Sequence, residues 1–279
     1  MSIKIAVITA AGLGTRLLPF SKELPKEMVP ILVKNGRYWY VKPIVQTIFE
    51  SLYDVGIRDF CIIVGRGKRA IEDHFTPDRS FLTFLKSKGR DEYIQDLEEF
   101  YSKIQNSSIV WVNQPEPKGF GHAVLQARNY VGTRDFIVHA GDTWIWSKRN
   151  YLLHLLNEFN EKKGVAGMLL LKKVRDPRPY GNAEVSGSGN SVKVLRVIEK
   201  PKIPRSKYAI IPVYVFSSDI FDVLKNTPVD SRGELQLTDA IQGLIDRGGT
   251  VLALEMRTGI RIDIGSPQTY LEFITQIRK

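Results

Sequence analysis

Short apolar runs rich in Val and Ile alternate with helix-periodic segments through the first half of this chain, and no other feature restricts its fold as much. Ile3 to Thr9, Phe60 to Val64, Ile109 to Asn113 and Phe136 to Ala140 have the length and composition of strands buried on both faces. Between the first two, Ile44, Val45, Ile48, Phe49 and Leu52 mark one apolar helix face, and Gly56 stands where that helix should end. The order predicts α/β units around a largely parallel sheet. Residues 75 to 107 interrupt it. There Phe81, Phe84 and Leu85, then Ile94, Leu97 and Tyr101, keep helical spacing amid dense charge, which predicts a helical insertion. A helix from about Arg149, strands near Ala166 to Lys172, Val192 to Ile198 and Ala209 to Phe216, and helices near Leu235 to Asp246 and Pro267 to Arg278 complete the pattern. With no repeat, low-complexity tract or evident linker, residues 1–279 are read as one domain.

Lys and Arg outnumber Asp and Glu by 40 to 30, so the net charge of +10 implies anionic partners, phosphorylated metabolites and nucleic acid alike. The single Cys61 lies in an apolar run, which excludes a disulfide framework or a cysteine-rich metal site within one chain. The apolar run from Ile5 is broken by Gly12 and Gly14, and no stretch reaches membrane-spanning length, so a cytoplasmic protein without membrane partners is expected.

Directly after the first strand comes Ala10-Ala11-Gly12-Leu13-Gly14-Thr15-Arg16, small residues at the carboxyl end of a strand, where α/β sheets place ligands and backbone amides can approach phosphate oxygens. Leu17 replaces the third glycine of a dinucleotide fingerprint and no Gly-Lys-Ser/Thr follows, so neither an NAD site nor a P-loop is indicated. A Gly-x-Gly turn alone is as often structural as functional. Arg16 and then Lys26, in Pro25-Lys26-Glu27-Met28, add two cations that suit a triphosphate, although Lys26 could equally be a solvated lysine.

Together, Gly12-Leu13-Gly14-Thr15-Arg16-Leu17-Leu18-Pro19 and Pro25-Lys26-Glu27-Met28-Val29-Pro30 resemble the signature of the sugar-1-phosphate nucleotidylyltransferases, and matching segments recur almost to the end of the chain. The resemblance implies a Rossmann-like nucleotidyltransferase fold with a mixed, mostly parallel central sheet flanked by helices. It also implies the reaction, in which a hexose 1-phosphate takes a nucleotidyl group from a nucleoside triphosphate and pyrophosphate is released. By the same resemblance the backbone of Ala10, Ala11, Gly12, Gly14 and Thr15 lies at the nucleotide, while Arg16 and Lys26 hold triphosphate oxygens. Gln114 and Gly119, in the turn after the third strand, contact the base. Asp142, just past the fourth strand, and Asp263 hold Mg²⁺, which prefers oxygen ligands and substrate phosphates. Taken singly, each of these aspartates is more often a turn or cap residue.

Residues 172 to 207 carry ten Lys or Arg against three acids, a net +7. Within this sugar-binding portion, near 172–216, Tyr180-Gly181-Asn182 and Glu199-Lys200-Pro201-Lys202 resemble the family's sugar-site motifs. There Gly181 lets the sugar approach the backbone, Glu199 accepts its hydroxyls and Lys200 holds the 1-phosphate. The nucleophile would be a phosphate monoester, mostly ionised at neutral pH because its second pKa is about 6. No general base is needed, in keeping with four histidines and no Ser-His-Asp or Cys-His pattern.

Pro25-Lys26-Glu27-Met28, Ile71-Glu72-Asp73-His74-Phe75, Gly121-His122-Ala123-Val124 and Gly233-Glu234-Leu235-Gln236-Leu237-Thr238-Asp239-Ala240-Ile241 are similar to the bacterial-type branch that makes UDP-glucose from UTP. Asp263-Ile264-Gly265-Ser266-Pro267 is closer to thymidylyltransferases, Pro212 stands where the family usually has glycine, and Asn182 replaces a usual valine. UTP against dTTP, and the choice of hexose, stay open on these residues. The family's habit implies a homodimer or homotetramer. A regulatory homologue without catalysis would have lost Lys26, Asp142 or Asp263, and a nucleic-acid binder should show a basic-aromatic module; neither pattern is present.

Overall fold

The computed structural model describes residues 3–36, 38–89 and 91–277. Its strands are β1 (Ile5–Ala10), β2 (Pro30–Asn35), β3 (Tyr38–Pro43), β4 (Asp59–Val64), β5 (Ser108–Asn113), β6 (Phe136–Ala140), β7 (Thr143–Trp146), β8 (Val165–Lys173), β9 (Gly181–Ser186), β10 (Ser191–Glu199), β11 (Tyr208–Phe216), β12 (Thr250–Glu255) and β13 (Ile260–Asp263). Its helices are α1 (Ile44–Asp54), α2 (Arg69–His74), α3 (Arg79–Ser87), α4 (Asp91–Gln105), α5 (Phe120–Gln126), α6 (Arg128–Val131), α7 (Tyr151–Glu161), α8 (Asp219–Asn226), α9 (Leu237–Asp246) and α10 (Pro267–Ile277). The helix anticipated to Arg278 is described to Ile277, and Arg278 lies outside the described residues.

One large sheet organises the chain, in the order β5-β4-β1-β6-β11-β8-β12-β10-β9. All of these strands except β11 and β10 run in one direction. Because each reversed strand sits between forward ones, the parallel ladders are confined to β5-β4-β1-β6 and β8-β12. The sheet is thus mixed, parallel through β5-β4-β1-β6 and again at β8-β12, and antiparallel at its other ladders. In the second half β9 and β10 form a hairpin, and returning strands pair antiparallel. Pro212 falls where the β11–β8 register shifts between Ile211 and Tyr214, the place a residue without an N–H fits a ladder.

The uninterrupted apolar runs follow from burial on both faces. Along β1, Ala6, Ile8 and Ala10 face the layer of α1, α4, α7 and α10, while Ile5 and Val7 face the layer of α5, α8 and α9. Cys61 is buried in the second layer, and burial pushes its thiol up to about 12. Between β4 and β5 the chain is helical from Arg69 onward. There Phe75 and Phe100 pack on Phe49 of α1 with ring centroids 5.2 and 6.1 Å away. The antiparallel β2–β3 ribbon, placed before α1, is locked to this region through buried Lys42, which reaches Glu50 at 3.1 Å and Asp96 at 2.7 Å. Among the described residues no helix is long and apolar enough to cross a membrane.

β11 decides where the site forms. Its ladder with β6 ends at Val213, so Tyr208 to Ile211 continue past the carboxyl end of β6, where Ala209 meets Asn182 of β9. The far side of the sheet thereby curls back over the edge at which β1, β4 and β6 all terminate.

Candidate active site

Two carboxylates meet at that edge. Gly141 follows β6, and its N–H donates to the Thr9 carbonyl at 2.9 Å; a Cβ would lie 2.9 Å from the same oxygen, so the chain can pass only as glycine. Asp142 comes next and β7 begins. β7 pairs with β13, setting Thr143 opposite Asp263, and the Ile264 N–H donates to the Asp142 carbonyl at 3.0 Å. A four-residue ladder therefore joins the two aspartates, distant in sequence, on one surface. Burial raises the Asp263 carboxyl, and the neighbouring Asp142 charge raises it further against Arg261, Lys26 and Arg16. Burial would also raise Asp142, but Lys26 foremost, by charge and hydrogen bond, holds it below the usual range.

Lys26 lies on a short 3-10 turn, Lys26–Met28, and its ammonium pairs with Asp142 Oδ2. It passes so close to the glycine loop that a Cβ on Gly12 would sit 3.1 Å from Nζ. Burial works to lower its pKa, yet Asp142, Glu27 and Asp263 outweigh that and raise it, so the side chain is a fixed cation. The next residue, Glu27, is 1% exposed and bonds Lys68 of the α2 approach at 2.8 Å, pinning the turn from behind. Burial holds the Glu27 carboxyl above its ordinary value against Lys68 and Lys26. Gly14 adopts φ 67°, and its carbonyl accepts from Ser21 Oγ at 2.7 Å. Arg16, in the turn Thr15–Leu17, brings Nη2 within 3.1 Å of where a Gly265 side chain would start; the same point is 3.1 Å from Asp263 Oδ1. Ala10, Ala11, Gly12, Gly14, Thr15, Arg16 and Lys26 thus converge with Asp142 and Asp263.

Gln114 continues from β5, its N–H bonded to the Val64 carbonyl at 2.7 Å. Both donors of its amide are engaged, one with the Gly119 carbonyl at 3.2 Å and one with His122 Nδ1 at 2.9 Å, which leaves the Oε1 acceptor. His122, which the sequence offered only as part of a motif, orients this amide. Gly119 has φ 96°, and a Cβ there would strike the Leu235 carbonyl at 2.8 Å, so its glycine character serves docking of the 233–239 loop.

The remaining candidates lie on the overhanging lobe. Glu199 Oε2 accepts from Thr238 Oγ1 at 2.7 Å, and a side chain on Gly181 would meet that hydroxyl at 3.1 Å and Glu199 Oε2 at 3.3 Å. Lys200, with φ 41°, directly follows β10 and pairs with Glu199 at 3.1 Å, while its N–H donates to the Tyr180 carbonyl at 3.1 Å. Asn182 is 3% exposed, and its Nδ2 donates to the carbonyls of Ser206 and Tyr208 at 3.0 and 2.9 Å. It clamps the 200–207 segment. No role was read from the sequence for Thr238, in the first turn of α9, or for Arg261.

A protein-family model described as "Nucleotidyl transferase" matches residues 5–279. The chain belongs to the nucleotidyl transferase family. This nucleotidyl transferase is 38% identical over 248 residues to "UTP--glucose-1-phosphate uridylyltransferase 1" of Staphylococcus saprophyticus, covering 88% of the chain and 82% of the relative. It is 37% identical over 286 residues to the Bacillus subtilis UTP--glucose-1-phosphate uridylyltransferase, covering 98% and 92%. Among solved structures it resembles a UTP-bound UGPase from Acinetobacter baumannii, with TM-score 0.84 and 31% identity over 99% of this chain and 93% of that one. It also resembles a UDP-glucose pyrophosphorylase complexed with UDP-glucose, with TM-score 0.81 and 27% identity over 99% and 98%. The α/β fold implied by the sequence resemblance is thus the fold of these nucleotidyl transferases.

Proposed function

We propose that this protein transfers a uridylyl group from UTP to glucose 1-phosphate, giving UDP-glucose and pyrophosphate, with the residues above in the roles the sequence implied. The observation that carries the reading is the convergence of Asp142, Asp263 and Lys26 at the end of β6 beside the glycine loop, in a chain whose curated relatives are uridylyltransferases. A phosphate oxygen of the sugar attacks the α-phosphorus of UTP, the bond from that phosphorus to the bridging oxygen breaks, and pyrophosphate leaves. The attacking oxygen is already ionised, so the barrier is the approach of two polyanions, and fixed positive charge lowers it.

Lys26, kept cationic by its acidic neighbours and held in place beside the glycine loop, meets triphosphate oxygens; Arg16 takes the departing pyrophosphate. Lys200 holds the 1-phosphate, Glu199 the sugar hydroxyls, and Gly181 leaves the sugar room beside them. The Gln114 carbonyl accepts the base N3–H, which uracil and thymine have and cytosine lacks.

Asp142 and Asp263 fit Mg²⁺: two partly buried carboxylates side by side, one with its proton affinity raised by the other, make a site that gains from a hard dication. Among the described residues no third His, Cys, Asp or Glu joins them, which suits an ion that takes its other ligands from phosphate and water. When bound, Mg²⁺ supplies charge neutralisation at the phosphates.

The test is pyrophosphate release with Mg²⁺ over a matrix of UTP, dTTP, ATP and GTP against several hexose 1-phosphates. UTP with glucose 1-phosphate is expected to give the highest kcat/KM; a higher value for dTTP would reassign the branch.

A further inference from the structure

Arg261 belongs to none of the roles above, yet it touches both halves of the cleft. It lies two residues before Asp263 on β13, so the two side chains share one face of the strand. Its Nη2 donates to Asp263 Oδ2 at 2.9 Å, while Arg16 lies on the Oδ1 side. The same guanidinium lies over the Tyr180 ring, 4.6 Å from its centroid, and the Tyr180 carbonyl is the acceptor for the Lys200 N–H.

The donor inventory of this arginine is incomplete. Its side chain is 14% exposed and its Nε is buried with no hydrogen-bond partner. Nε and Nη2 together form the side-on edge by which a guanidinium grips an oxyanion with two parallel bonds. Asp263 fills half of that edge. Nearby Lys172 already donates to the Gly259 carbonyl at 2.9 Å, and it is close enough for the Arg261 charge, after burial, to lower its pKa. Two partly buried cations therefore lie near each other, one of them stacked on Tyr180, an arrangement that favours an anion.

We propose that Arg261 binds the hexose 1-phosphate, its Nε–Nη2 edge receiving a phosphate oxygen beside Lys200 while Tyr180 holds the guanidinium plane. This rests on the uridylyltransferase reading and deepens it. The ligand is a phosphate monoester on the sugar side of Asp263; the triphosphate is served from the other side by Arg16, Lys26 and the glycine loop. The arrangement couples the two substrates, since the cation that steadies Asp263 is the one that grips the second substrate.

Arg261→Lys separates this from a merely structural role, because lysine keeps the charge beside Asp263 but lacks the two-donor edge. Calorimetric titration of wild type and variant with UDP-glucose and, separately, with UTP reads the effect without turnover. In the variant UDP-glucose affinity should fall by about 10- to 100-fold, the scale for losing a charged hydrogen bond, with UTP affinity changed by less than about 3-fold. The KM for glucose 1-phosphate should rise in parallel. Equal loss for both ligands would make Arg261 a support for Asp263 only, and no loss for either would remove it from the site; both overturn the proposal while leaving the uridylyltransferase reading intact. If the wild type binds neither ligand, that reading fails and the proposal with it. Arg261→Gln, with its melting temperature measured alongside, is expected to lose UDP-glucose binding at least as strongly; retained binding in a folded Gln variant would refute the proposal independently.

Discussion

Lys26 shows how a single side chain can be committed before substrate arrives. Its partly buried ammonium pairs with Asp142 and packs over Gly12, and Glu27 and Lys68 anchor the turn from below. A charge fixed in this way costs no reorganisation during the reaction, the condition under which electrostatic groups matter most for rate. Lys26→Ala or Asp142→Asn should therefore lower kcat by about 10² or more, measured as pyrophosphate release at saturating substrates. Near wild-type turnover in either would exclude that residue from the chemistry. Asn182 teaches a different lesson about single positions. Against the family pattern it reads as a change in sugar choice, but its amide is spent on the backbone of Ser206 and Tyr208. Asn182→Val should cost about 1–3 kcal/mol in urea unfolding by leaving buried carbonyls unpaired. Hexose selectivity should not change; a variant of native stability with altered hexose preference would return Asn182 to the specificity set.

At the scale of elements, the legible part of the sequence was the part that is buried twice over. β1, β4 and β6 read clearly because both faces of each strand are buried, and β5, a half-buried edge strand, because of its unbroken β-branched and aromatic run; α1 read clearly from an apolar face that spans Ile44 to Leu52. β7 and β13 were missed because they are short and exist by pairing: Thr143–Trp146 and Ile260–Asp263 mean little until each meets the other; β9 was missed because Gly181-Asn182-Ala183-Glu184-Val185-Ser186 has no strand-like apolar run. β12 and α8 were missed despite signals, the Gly248-Gly249 turn before one and a strong apolar face on the other. Candidate residues in the glycine loop came from the motif, whereas Arg261 was invisible because its meaning lies in the β7–β13 ladder and the overhang of β11. The β2–β3 ribbon carries aromatics on a partly exposed face, so its strand pattern is blurred. Lys42 holds it, 6% exposed and bonded to carboxylates on α1 and α4. Lys42→Met should leave two largely buried carboxylates without their cation and destabilise the fold by about 3–5 kcal/mol in urea unfolding. A loss within about 0.5 kcal/mol would mean the ribbon is held by its apolar contacts alone.

For the whole molecule, the balance of buried ionisable groups sets how the fold responds to acid. Burial lowers His74 and His139 from 6.5 to about 4, so in the native state both stay neutral through mildly acidic solution. In the unfolded chain they take up protons near pH 6.5. Between those values the unfolded state binds more protons, so their contribution to stability is complete above pH 6.5 and is lost as pH falls toward 4, by up to about 1.4 kcal/mol per pH unit for each histidine. Glu27 and Asp263, raised by burial, act with the opposite sign: they favour the native state as pH falls toward their ordinary range. The wild-type curve is the sum, and a variant is needed to isolate one term. His74 stacks on Phe100 at 5.2 Å and meets Phe75 edge-on at 5.9 Å, while its Nε2 meets Gln46 Oε1 at 2.9 Å, so His74→Phe removes the titration and keeps the ring contacts at a pH-independent cost of one hydrogen bond. Urea unfolding of both proteins between pH 4.5 and 7.5 should then show wild-type stability, measured relative to the variant, rising with pH up to about 6.5 and level above it. A difference that is the same at every pH would mean His74 gains its proton equally in folded and unfolded chains, and the aromatic cluster joining α1 to the helices after β4 would not be the dry pocket its geometry describes.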